Sequence, residues 1–173
     1  GHIVISDQIK ADAAPAIAAL KKAGIEKTVM LTGDRKEVAA FVAEQLSIDE
    51  HYSELMPADK VAYVERLLGE KPANGTLAFV GDGINDAPAL AAANTGVAMG
   101  DCAEITGETA DIVLPSGDGL AALLKTRVMG QRLMKKIDGN NKNIIIINSA
   151  LIAAGLFGFI SPSLAAVLHN SST

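Results

Sequence analysis

Short apolar runs alternate with longer amphipathic stretches through the first 119 residues of this chain. Strands that alternate with helices indicate βαβ units, and therefore an α/β fold whose parallel sheet carries helices on both faces. Ligands bind such sheets at the carboxyl ends of the strands, where two Gly-Asp turns occur here. The pattern predicts strands at 2–6, 27–31, 51–53, 76–80, 96–99 and 111–114, and helices at 13–23, 36–46, 58–68 and 88–93.

A different pattern begins near residue 120. We predict a basic stalk helix within 120–143, which the sequence Asp-Gly-Asn-Asn at 138–141 is expected to loosen. Residues 144–168 then run for 25 positions without a charge, and a membrane-spanning helix needs about 20. The interpretation is a transmembrane segment at 144–173, with one span at 144–160 and the start of a second; the alternative is a buried core helix.

Charge is divided unevenly between these two regions. Residues 1–119 carry a net charge of −10 and residues 120–173 a net charge of +5, which together give −5. The acidic front region argues against a nucleic-acid partner, because phosphates require a basic surface. The basic cluster lies just before the uncharged run, a pattern typical of membrane flanks. Cys102 is the only cysteine, so no disulfide can form within the chain, which fits a reducing compartment.

The densest group of polar residues lies at 80–90, directly after a predicted strand. Asp82, Asn85 and Asp86 place two carboxylates and a carboxamide within five positions, and the glycines that flank Asp82, including Gly83, permit a tight turn. Such hard oxygen donors suit Mg²⁺, which binds one or two carboxylates and shares phosphate oxygens. A surface turn held by Asp and Asn hydrogen bonds is the alternative.

A second motif, Thr32-Gly33-Asp34, ends another predicted strand. The hydroxyl and the backbone N–H of Thr32 can both donate to a phosphate oxygen. The alternative is that this threonine or aspartate caps the following helix.

A third motif, Pro-Ala-Asp-Lys at 57–60, opens a predicted helix. Its Lys60 is either a solvated surface residue or a compact positive charge for an anionic ligand.

These motifs together resemble one family. The run Gly-Asp-Gly-Ile-Asn-Asp-Ala-Pro-Ala-Leu at 81–90 is similar to the signature of P-type ATPases, within the haloacid dehalogenase superfamily. The motifs at 32–34 and 57–60 resemble two further elements of that family in the same order, and 6–21 resembles the segment where its chain returns from the nucleotide-binding domain. Two membrane helices after the phosphorylation domain would fit the heavy-metal branch. The resemblance covers essentially the whole chain and implies that 1–119 is the C-terminal part of a phosphorylation domain.

The resemblance implies an ATP-driven cation transporter that cycles through an aspartyl phosphate, in a membrane and with a cytoplasmic phosphorylation domain. Its cofactor would be Mg²⁺ and its substrate ATP. Its partners would be a divalent transition-metal ion, membrane lipid, and the nucleotide-binding and actuator domains of a longer chain. The implied site residues are Asp82 and Asp86 for Mg²⁺, Thr32 and Lys60 for phosphate, Asn85 and Asp86 as support for the phosphorylated site, and Gly33, Asp34 and Gly83 near the nucleotide.

The transported ion is less constrained. Asn148 is polar within an apolar stretch, and His169 is a plausible transition-metal ligand near the membrane or a water-facing helix end. The Tyr-Asn and Met-Ser pairs of the copper branch are absent at these positions, and so are the Lys of the first span and the Asp of the second span of the zinc branch. The polar end at 169–173 therefore looks more like a manganese-, zinc- or cobalt-type relative.

The family's phosphorylated Asp-Lys-Thr-Gly-Thr does not occur in this sequence. The natural interpretation is a fragment that is inactive alone and lacks a central strand, with exposed apolar surface as a consequence. One alternative is a stand-alone haloacid dehalogenase-type phosphatase with Asp7 as nucleophile, although Ile9 stands where a second carboxylate is needed. Another is a non-catalytic module that binds Mg²⁺ or phosphate.

Overall fold

The computed structural model describes residues 8–81, 84–100, 109–115, 117, 119–158 and 161. The chain divides into two units, 1–126 and 127–173. In chain order the elements are α1 (Ala13–Lys22), β1 (Val29–Leu31), α2 (Lys36–Leu46), β2 (Glu50–Tyr52), α3 (Pro57–Glu70), β3 (Ala78–Gly81), a 3-10 turn (Ile84–Asp86), α4 (Ala87–Ala92), β4 (Thr95–Ala98), β5 (Ile112–Val113) and α5 (Gly119–Leu156). The predicted strands and the predicted helices before residue 119 agree with these within about three residues at each end, apart from the strand at 2–6, which lies outside the described residues; α5 continues past the predicted stalk at 120–143.

The strands are all parallel, but they form two sheets where the sequence pattern predicts one. Strands β1 and β2 make the first sheet, and β3, β4 and β5 make the second with β4 in the middle. Among the described residues, β1 pairs only with β2 and β3 only with β4, so no strand joins the two sheets.

The first helix ends where glycine makes a left-handed turn possible. Gly24 has φ of 93°, and its N–H donates to the carbonyl of Lys21 at 3.0 Å. The N–H of Ile25 donates to the carbonyl of Leu20 at 3.1 Å, which completes the hydrogen-bond pattern of a Schellman motif. The helix therefore ends within one residue of the end predicted at 23.

A small apolar core lies against the second sheet. Val97, Leu114 and Ala122 are buried together, and Val80 and Leu123 pack against them. Asp111 aligns the last strand, since its carboxylate accepts a hydrogen bond from the N–H of Gly96 at 2.8 Å. The first turns of α5 thus rest on the same sheet that ends in the polar loop at 81–86.

A polar cluster joins α1 to the start of β2. Asp49 accepts hydrogen bonds at 2.7 Å from the Nζ of Lys21 and from both the backbone N–H and the hydroxyl of Thr28. The Lys21 Nζ also donates to the carbonyl of Ser47, the left-handed residue that ends α2. The hydrogen bond from Lys21, with those from Thr28, holds the pKa of the Asp49 carboxyl far below its usual range.

We expect Asp49→Asn to lower the free energy of unfolding at neutral pH by about 1 kcal/mol, a small value because the carboxylate is partly exposed and screened by solvent. A lowered folded-state pKa stabilises the protein above the unfolded pKa of about 4, and this contribution disappears as the pH falls below that value. Denaturant titrations between pH 7 and pH 2 should therefore show a smaller acid-induced loss in the variant than in the wild type. Glu26→Gln, at an exposed position, serves as the control; equal acid-induced losses in Asp49→Asn and the wild type would contradict the account.

Helix α5 is one continuous helix, so the prediction that 138–141 loosens it is wrong. Glycine and asparagine are each less favourable than alanine by about 1 kcal/mol or less, and helical segments on both sides propagate through them cooperatively. Within the part of the chain that the structure describes, no helix combines the length and the apolarity needed to cross a membrane. The predicted span at 144–160 includes 159–160, which lie outside the described residues, and it stays a prediction.

Candidate functional site

The loop after β1 is organised by Thr32. Its N–H donates to the carbonyl of Tyr52 at 3.0 Å, which extends the β1–β2 pairing by one residue. Its hydroxyl donates to the Asp34 carboxylate at 2.8 Å and accepts from the Asp34 N–H at 3.1 Å. Neither residue caps α2, whose N-cap position is Arg35 without a side-chain cap bond, so the capping alternative is wrong.

This loop is tied to the start of α3. The carbonyl of Thr32 accepts a hydrogen bond from the N–H of Leu55 at 3.1 Å, and a Cβ on Gly33 would lie 3.3 Å from the Leu55 carbonyl oxygen. Helix α3 then begins at Pro57, and the Asp59 carboxylate accepts a hydrogen bond from the N–H of the N-cap residue at 2.9 Å. The first turn of α3, which carries Lys60, is thereby held beside the Thr32 loop.

Lys60, in the first turn of α3, forms an ion pair with Asp86, at the end of the 3-10 turn. The Nζ lies 2.8 Å from Oδ1, and the two side chains are only 18% and 11% exposed. Asp86 is the buried charged residue of the described chain. It occupies the N-cap position of α4, but its side chain makes no cap bond and contacts the lysine instead.

Gly81 explains why Asp86 can reach this position. A Cβ at Gly81 would lie 2.8 Å from the Asp86 Cβ and 3.1 Å from its Oδ2, which is closer than real Cβ contacts allow. The absent side chain lets the 3-10 turn fold back over the end of β3.

Three loops therefore meet at the carboxyl ends of β1, β2 and β3, as predicted for a parallel sheet. Lys60 contacts Asp86 directly, and the first turn of α3 that carries Lys60 is tied to the Thr32 loop through Leu55, while the side chains of Asn85 and Asp34 are exposed. The ammonium of Lys60 and the hydroxyl of Thr32 can bind a phosphate oxygen. Asp34, Asn85 and Asp86 carry two carboxylates and one carboxamide, donor types that suit Mg²⁺ shared with phosphate oxygens.

Three other predicted site residues lie outside the described residues, and a fourth lies in α5. Asp82, Gly83 and His169 lie outside the described residues. Asn148 lies in α5 and is half-buried. No group of three or more metal-binding side chains occurs among the residues that the structure describes, so the Mg²⁺ ligands stay a prediction.

One supporting cluster was not predicted from the sequence. The rings of Tyr52 and Tyr63 stack with centroids 4.3 Å apart, and the Arg66 guanidinium lies 5.0 Å and 4.5 Å from the two ring centres. Tyr63 and Arg66 follow Lys60 along α3 at intervals of three residues, so the stack fixes the helix that carries the lysine against β2. The sequence feature that could have indicated this contact is that the chain has only two tyrosines and no tryptophan.

Comparison with known proteins places this geometry in a family. Residues 1–94 match the haloacid dehalogenase-like hydrolase family. The chain belongs to this family. As a haloacid dehalogenase-like hydrolase, it is 44% identical over its whole length to a manganese-exporting P-type ATPase of Mycobacterium tuberculosis, of which it covers 24%. It is 54% identical over 66% of its length to a cadmium, zinc and cobalt-transporting ATPase of Bacillus subtilis, of which it covers 16%.

Solved structures give the same picture. A zinc-transporting PIB-type ATPase in its E2.Pi state matches 96% of this chain with a TM-score of 0.75 and 36% sequence identity, and the match covers 26% of that protein. The resemblance to heavy-metal-transporting P-type ATPases is therefore confirmed. This haloacid dehalogenase-like chain spans about a quarter of the length of its full-length manganese-exporting relative.

Proposed function

We propose that residues 1–119 form the C-terminal part of the phosphorylation domain of a heavy-metal-transporting P-type ATPase. Residues 120–143 are its stalk, and 144–173 enter the membrane as one span and the start of a second. The phosphorylation domain is cytoplasmic. The observation that most supports the proposal is the partly buried Lys60–Asp86 ion pair, whose lysine lies on the helix tied to the Thr32 loop, because parallel sheets bind ligands at the carboxyl ends of their strands.

Phosphoryl transfer requires charge stabilisation more than covalent chemistry from the protein. The proposed parent enzyme supplies an aspartate that attacks the γ-phosphate of ATP and forms an aspartyl phosphate. Lys60 offsets the negative charge that develops on the transferred group, and the Thr32 hydroxyl, which donates to Asp34 in the structure, would reorient to donate to one of its oxygens. Asp86 holds the ammonium in place at 2.8 Å.

Mg²⁺ would be held by Asp82, Asp86 and the Asn85 carboxamide, and when bound it neutralises phosphate charge. Asp34, Gly33 and Gly83 lie on the nucleotide side of the same loops in this proposal. The nucleotide-binding and actuator domains of the longer chain are the protein partners.

The proposed cargo is a divalent transition-metal ion, with Asn148 and His169 as candidate ligands. Similar proteins are described as manganese-exporting, zinc-exporting and cadmium-, zinc- and cobalt-transporting, which supports this class of ion.

The test is ion uptake into inverted membrane vesicles that contain the full-length transporter. Manganese, zinc, cobalt, cadmium and copper are supplied in turn with ATP, and accumulated metal is measured. We expect ATP-dependent accumulation of manganese or zinc, reduced by His169→Ala. Accumulation of none of the five metals, or of copper alone, would contradict the proposed function.

A further inference from the structure

The stalk part of α5 carries several basic residues on one side of the helix. Arg132, Lys135, Lys136 and Lys142 fall within an arc of about 120° at 100° per residue, along about 15 Å of helix. We call these four residues the basic face. Asp138, the one acidic residue after position 119, falls outside this arc.

The basic face is solvent-exposed. All four side chains are exposed, and none of them forms an ion pair with a carboxylate in the part of the chain that the structure describes. Four adjacent cations repel one another, so an anionic surface that neutralises them is favoured.

The segment that follows indicates what that surface is. Ile145, Ile146 and Ile147 are 64%, 64% and 44% exposed, and Ile152 is 65% exposed. Consecutive residues point 100° apart, so these side chains surround more than half of the helix. A protein groove covers one side of a helix, whereas lipid covers all sides. The cations therefore precede a segment whose apolar side chains suit lipid.

We propose that the basic face binds the anionic headgroups of a phospholipid surface. Clusters of four or more Lys and Arg residues beside a membrane-embedded or amphipathic helix attract anionic lipid in this way. The inference rests on the proposed membrane location and goes beyond the proposed transport function. The contact would fix the depth and orientation of the stalk relative to the bilayer.

Vesicle flotation tests this inference with the full 173-residue chain. Vesicles of phosphatidylcholine alone are compared with vesicles that also contain phosphatidylglycerol, and the readout is the ratio of the two binding constants. The apolar segment contributes to both constants, so their ratio isolates lipid charge. We expect the wild type to prefer anionic vesicles by roughly tenfold or more at low salt, with the preference falling as salt rises.

The variant R132Q/K135Q/K136Q/K142Q should bring the ratio close to one. The matched control K10Q/K22Q/K36Q/K71Q removes the same total charge from the first unit and should leave most of the preference intact. An equal loss in both variants, or an unchanged ratio in the first, would overturn the inference while leaving the membrane location standing. Binding to neither kind of vesicle would overturn both the inference and the membrane location, but not the phosphorylation chemistry, which a phosphoenzyme assay tests separately.

Discussion

Lys60→Met in the full-length transporter is expected to reduce phosphoenzyme formation by roughly a hundredfold or more, the usual cost of removing one group that stabilises transition-state charge. The lysine is the cation that the structure places at the meeting point of the three loops, 2.8 Å from Asp86. The measurement is acid-stable label from γ-labelled ATP. Lys22→Met, at an exposed position on α1, should label like the wild type.

The same substitution also tests the ion pair. Lys60→Met leaves the buried Asp86 carboxylate without its partner and should lower the free energy of unfolding by about 3 kcal/mol. K60M/D86L replaces the pair with apolar side chains and should recover most of that stability. In the 173-residue chain, tyrosine near-ultraviolet circular dichroism reports this transition specifically, because both tyrosines lie in the first unit and the chain has no tryptophan. Recovery of phosphoenzyme in K60M/D86L would show that Lys60 acts only through folding.

Gly96→Ala should destabilise the first unit by about 2 kcal/mol or more, through overpacking. A Cβ at this position would lie 2.7 Å from the carbonyl oxygen of Leu90, a backbone atom of α4 that no rotamer change can move. Relief requires α4 to shift from β4, and Asp86 is the N-cap of α4, so the loss of stability should come with weaker phosphoenzyme formation. Denaturant unfolding followed by the tyrosine signal measures the change.

The matched control is the same substitution at Gly69. That residue lies near the end of α3, and a Cβ there meets nothing within 4 Å. Gly69→Ala should therefore stabilise the protein by about 0.5 kcal/mol, because alanine loses less backbone freedom in a helix than glycine does. Equal destabilisation by both substitutions would contradict the packing argument.

Local signals in the sequence predicted the elements well because each has a physical marker. Helix α2 was predicted with its observed bounds, 36–46, from apolar spacing alone, and the left-handed Gly24 ends α1 where expected. The positions of Thr32 and Gly81 at strand ends likewise follow from the alternation of strands and helices. These features depend on interactions between residues close together in the chain.

Features that depend on distant residues were not predicted. The Lys60–Asp86 pair joins positions 26 residues apart, and neither motif contains a signal that its charge would be satisfied by the other. The Tyr52–Tyr63 stack is of the same kind, since it depends on the docking of α3 against β2. The continuity of α5 through 138–141 was not predicted, because the low helix propensity of glycine and asparagine is outweighed by the cooperativity of a 38-residue helix.

The most direct test of the central claim is phosphoenzyme labelling of this chain beside the full-length transporter. Both are incubated with γ-labelled ATP, Mg²⁺ and a series of divalent metals, then quenched in acid and treated with hydroxylamine. We expect a hydroxylamine-sensitive label on the full-length protein, stimulated by manganese or zinc, and no label on this chain. A label on this chain that maps to Asp7 would contradict the account and indicate a self-sufficient phosphotransferase.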